Sequence, residues 1–92
     1  MNIMEQESAV FAALDRYNPI PISATREFAE LGFVTDDGYR IIVTSHRLVG
    51  GMTIVVEDAG GAQRTSTPIE PDNPTHVAQV VEFLIVLYSK GA

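Results

Sequence analysis

A small set of side chains could carry chemistry in this chain. Asp36 and Asp37 are adjacent carboxylates, the residue type used in general acid–base catalysis and in binding hard cations. They lack the alternating ligand positions of a calcium loop. Gly38 follows them directly, so Thr35-Asp36-Asp37-Gly38 reads as a tight turn between two apolar runs. Ser45-His46 sets a nucleophile beside a base, but neighbours on a strand point to opposite faces and cannot meet, and no G-x-S-x-G elbow occurs. His76 falls in the first turn of a predicted helix, without partners at metal-ligand spacing. Gly50-Gly51 and Gly60-Gly61 show neither the G-x-G-x-x-G pattern nor a P-loop lysine. Phe28, Phe33 and Tyr39 have no cations interleaved as a base-stacking platform has, so they read as core. The expectation is a non-enzyme with no cofactor and no metal.

Composition narrows the choice further. The chain has 92 residues with 12 acidic and 6 basic side chains, a net charge of −6, and no cysteine. A disulfide, a thiolate metal site and a thiol nucleophile are thereby excluded. The acidic balance argues against direct binding to a nucleic-acid backbone, which needs clustered cations. Glu5 and Glu7 stand where a signal peptide would have its basic start, and the apolar run Phe83 to Tyr88, which none exceeds, is far below the ~20 residues that span a bilayer. A single domain over residues 1–92, cytoplasmic in its source or host cell and without a membrane partner, is expected.

Periodicity supplies the elements that must position these residues. Residues 3–17 read as a helix: Asn2 and Glu5 have capping-box spacing, Val10, Leu14 and Tyr17 share a stripe, Glu7, Ser8 and Asp15 lie off it, and Asn18-Pro19 ends it. Pro19 to Ile22 reads as an extended connector. Residues 23–32 admit two readings. The favoured one is a short helix from Ser23, with Ala24, Phe28 and Leu31 on one face and Gly32 as its stop; the other is a strand. Tyr39–His46 and Met52–Glu57 alternate with period two and are rich in β-branched residues, forming a hairpin through Arg47-Leu48-Val49-Gly50. Placing His46 opposite Gly51 pairs Arg40 with Glu57, Ile42 with Val55 and Val43 with Ile54, so that every cross-strand pair is favourable. Gln63 to Thr67 is a polar strand ended by Pro68. Asn73 and Pro74 start the last helix as N-cap and first helical residue, with Val77, Val80, Val81, Leu84, Leu87 and Tyr88 as its stripe and Lys90 and Gly91 at its end. Phe83, Ile85 and Val86 lie outside that stripe and need separate cover. The fold class is α+β: a two-layer domain with an N-terminal helix, a short helix or strand, an antiparallel meander of three to four strands, and a C-terminal helix.

In a meander, alternate turns fall at the same end of the sheet. Asp36, Asp37, Glu57 and Asp58 are therefore expected together, with Glu27 and Glu30 extending the rim, and His46 and Arg47 at the far end. This acidic group is the candidate contact for a protein partner with a basic surface. The function expected is that of a small acidic binding protein that blocks or modulates a larger machine, in the manner of a phage-encoded, anti-CRISPR-like inhibitor of a nucleic-acid-binding defence complex. The alternative is a homodimeric adaptor or chaperone-like module that self-associates through the C-terminal helix.

Overall fold

The computed structural model describes residues 3–89. Helix α1 (Ile3–Leu14) continues into a single 3-10 turn, Asp15–Tyr17, and the chain then reverses at Asn18 in the left-handed conformation, φ 57°. Five strands follow: β1 (Ile20–Ala24), β2 (Phe28–Val34), β3 (Arg40–His46), β4 (Met52–Glu57) and β5 (Gln63–Ile69); helix α2 (Pro74–Leu87) closes the domain. The strands form one antiparallel sheet in the order β1-β2-β3-β4-β5, so each pairs only with its neighbours in the chain. The fold is the expected α+β meander between two helices, with five strands in place of three to four.

The additional strands come from residues 20–34. The favoured short helix is overturned: Ile20–Ala24 and Phe28–Val34 form a hairpin. Ala29, Leu31 and Phe33 are buried in alternation on the inner face, a burial that helical spacing could not give. The Thr25 hydroxyl shapes the turn, accepting from the N–H groups of Glu27 and Phe28 at 3.2 and 3.1 Å. Gly32 is not a helix stop but a mid-strand residue without positive φ. A Cβ there would stand 2.8 Å from Ile22 Cδ1, so the glycine gives room for the side chain lying over it.

The β3–β4 register is the one expected, with Arg40 opposite Glu57, Ile42 opposite Val55 and Val43 opposite Ile54. Helix α2 also starts as expected. Asn73 Oδ1 accepts from His76 N–H at 3.1 Å, and Pro74 takes the first helical position. Asn2, Lys90 and Gly91, assigned to the helix ends, lie outside the described residues.

Both helices pack on one face of the sheet. Between the layers are Val10 and Leu14 of α1, Leu31, Phe33, Ile41, Val43, Ile54 and Val56 of the sheet, and Val77 and Val81 of α2. Tyr39 and Tyr88 meet in a tilted ring contact, with centroids 4.9 Å apart and planes at 51°. No described element covers the other face.

The ladder also shows how the two sheet edges are finished. His46 N–H donates to Gly51 O at 3.0 Å. In an antiparallel ladder, successive residues turn their backbone groups alternately to one side and the other. Following that alternation through the register, Met52, Ile54 and Val56 bond to β5, and Ser66 and Pro68 face outward from it. On the opposite edge, Gly32 and Glu30 bond to Ile20 and Ser23, and Pro21 faces outward. Each free edge thus carries a proline at an outward position, where a further strand would require an N–H.

Candidate functional site

The uncovered face of the sheet divides into two zones. Toward the Asp36 turn it is apolar: Ile20, Ile22, Gly32, Val34 and Ile42, with Arg40, line an open groove of about 230 Å³. The sequence makes this groove in two steps. A bulge in β1 between Pro21 and Ser23 brings Ile22 onto the outer face, and Gly32 leaves the space it fills. Val34 is 59% exposed and Ile20 53%, large values for strand residues of these types.

The other zone is polar. Ser23 Oγ donates to Glu30 Oε1 at 3.0 Å, and Thr44 Oγ1 donates to Glu30 Oε2 at 3.1 Å. His46 Nε2 and Thr53 Oγ1 are bonded at 2.8 Å. Glu30 is thus a half-buried carboxylate held upright by two hydroxyls, one register step from the groove.

The acidic residues singled out in sequence are only partly gathered. The β2–β3 and β4–β5 turns meet: a Cβ on Gly38 would stand 3.4 Å from Ala59 Cβ, which places Asp36, Asp37, Glu57 and Asp58 at one end of the sheet. Glu57 and Asp58 hold defined local contacts. Glu57 pairs with Arg40 at 3.0 Å, and Asp58 Oδ1 accepts from the N–H groups of Gly60 and Ala62 at 3.0 and 2.9 Å. Glu27 does not extend this rim. It lies in the β1–β2 turn at the opposite end, where its carbonyl accepts from Arg47 N–H at 2.8 Å. Glu30 sits mid-sheet, because the segment carrying both residues is a hairpin and not a helix leading into the first turn.

The far end is not basic. Arg26 and Arg47 are there, but the chain path brings Glu5, Glu7, Glu27, Glu70 and Asp72 to the same end. Carboxylates therefore mark both ends. What distinguishes the Asp36 end is the apolar groove beside it.

Sequence reasoning placed Glu7 on the wet side of α1, but it is only 5% exposed. Arg47 Nε and Nη2 donate to its two carboxylate oxygens at 2.9 and 2.7 Å, and Arg47 Nη1 donates to Thr25 O at 2.6 Å. The guanidinium hydrogen-bonded to Glu7 holds the carboxyl below its ordinary range; burial opposes this and the Ser45 hydroxyl assists it. Arg47 thus ties α1 to two turns of the sheet. Ser45 faces inward to Glu7 while His46 faces outward to Thr53, so the pair is divided as strand geometry requires. No helix among the described residues is long and apolar enough to cross a membrane. No family model matches the chain, and neither a curated protein nor a solved structure shows significant similarity to it.

Proposed function

We propose that the chain is a small non-catalytic protein-binding module, using the open face of its sheet and the adjoining Asp36, Asp37, Glu57 and Asp58 end to modulate a larger partner with a basic surface. The observation that carries this reading is the uncovered sheet face, with exposed Ile20, Ile22 and Val34 lining a groove next to carboxylates. Contiguous apolar surface rimmed by polar groups is characteristic of interaction sites. The test is affinity capture with the full chain, identification of the partner, and binding kinetics with the Asp36→Asn, Asp37→Asn, Glu57→Gln, Asp58→Asn variant. A slower association with a shallower salt dependence is expected, since steering charges act mainly on the on-rate. Unchanged association would remove these four carboxylates from the interface.

One observation favours a second reading, self-association through α2. Phe83 and Val86 are 62% and 69% exposed on its outer side. Sedimentation at micromolar to hundred-micromolar concentration decides this, and a 10.0 kDa species throughout would refute it.

A further inference from the structure

We infer that α1 is an exchangeable element: two copies of the chain pair by each docking its α1 on the other's sheet, with residues 15–19 as the hinge.

The hinge holds a strained backbone. Asn18 is the only non-glycine residue with positive φ among the described residues, at φ 57° and ψ 58°. Pro19 follows it, and a proline favours extended backbone in the residue before, at ψ of roughly +120 to +160°. The reversal between α1 and β1 thus keeps Asn18 from the conformation its neighbour favours, and an extended hinge releases that strain. Pro19 and Pro21 stiffen the extended path. The 3-10 turn Asp15–Tyr17 contains no buried residue, so it opens with Asn18 at little loss of packing. Residues 15–19 then span up to ~17 Å, enough to reach a site on an adjacent copy.

The occupant is selected by identity. Val10 and Leu14 are fully buried in the core, and Glu7 accepts two hydrogen bonds from Arg47. The α1 of a second copy reproduces each of these side-chain contacts, because the exchanged site and its occupant are the same as in the closed molecule. The two forms differ at the hinge and in how close the copies come. A Cβ on Gly50 would stand 3.5 Å from Ile3 Cδ1, so α1 begins at the Arg47 end; it finishes near Ile20, toward Asp36. An extended hinge therefore carries α1 past the Asp36 end and brings the acidic ends of both copies near one another. Salt screens that repulsion and favours the pair. The exchange occupies the covered side of each sheet and leaves both open faces free.

The balance follows from two factors. A tethered α1 competes at an effective concentration on the order of millimolar. Freeing one strained residue shifts an equilibrium about tenfold, and the pair frees two, so a Kd of about 10–100 μM is expected.

The test uses the full chain in two variants, Glu7→Arg and Arg47→Glu. Alone, each sets like charges together whether α1 is closed or exchanged. Refolded together from urea, they form an exchanged heterodimer with an opposite-charge pair at one site and the natural Glu7–Arg47 pair at the other. Native mass spectrometry should show this heterodimer in at least about tenfold excess over either homodimer. Absence of the heterodimer overturns the exchange. So does an equal yield of all three dimers, which is what contact through the outer side of α2 would give. A second series alters only the hinge. Asn18→Gly adopts positive φ freely and should raise the Kd about a hundredfold, whereas the β-branched Asn18→Val should lower it at least about tenfold. Sedimentation at low and high salt reads both, with the dimer stronger at high salt. An equilibrium that ignores both substitutions overturns the proposal. If the double variant Glu7→Arg, Arg47→Glu fails to fold, the reversed pair is not tolerated and the Asn18 series decides alone.

Discussion

Arg47 and Glu7 form the contact on which the positions of α1 and two turns most directly depend. With Glu7 5% exposed and both its oxygens accepting from one guanidinium, the pair is bidentate and largely shielded from solvent. Because folding lowers the Glu7 pKa from its ordinary value of 4.5, the folded state binds fewer protons there than the unfolded chain. Its contribution to stability is full above that value and is lost as pH falls through the lower, folded one. Glu7→Gln should therefore lower stability at neutral pH and flatten the acid limb below pH 4.5, as read from urea titrations at a series of pH values. An acid limb identical to that of the parent would show that other carboxylates set it. None of this could be read from the sequence. The partners stand 40 positions apart, and the helical pattern around Glu7 put a carboxylate where solvent was expected. His46 and Ser45 were legible for the opposite reason, since strand alternation alone decides their separation.

At the scale of elements, legibility followed how many independent signals each segment carried. The β3–β4 hairpin had β-branched alternation, a turn and matched pairs, and its register is as expected. Residues 23–32 carried a serine, a glycine and an apolar spacing that suit a helix, against a short alternation that gains value only once β1 and β3 lie alongside. The sheet neighbours settled it. Helix α2 had its start written in Asn73-Pro74, but its stripe was read too wide: Leu84 is half-buried and Leu87 is 41% exposed. Leu14→Ala, at a fully buried site, should cost on the order of 2–5 kcal/mol. Leu84→Ala should cost less, about 1–2 kcal/mol, because part of that side chain is already in water. Denaturant titration of both variants tests the ranking, and an equal or larger loss at Leu84 would reverse it. The edge prolines give a separate expectation. Pro68→Thr restores an outward N–H on β5 and should hasten aggregation on heating, followed by thioflavin fluorescence. An unchanged rate would show that the proline is not what protects that edge.

Taken as a whole, the molecule has one closed face and one open face. The closed side was foreseen from periodicity, as was the α+β class. The groove on the open side was not, because it depends on a bulge at Ile22 and a glycine whose purpose shows only when the two strands are paired. The strand order has a further consequence, for the protein during its synthesis. Every strand neighbours the one made before it, so the sheet can assemble hairpin by hairpin as the chain is made. Its inner face cannot be sealed in the same stepwise manner. Val77 and Val81 belong to the element made after all five strands, and until α2 docks beside α1 the apolar side chains packed with them lack that cover. A nascent chain arrested after Ile69 would therefore hold a formed but half-open sheet, and should be a substrate for the chaperones that bind exposed apolar surface until translation proceeds through α2.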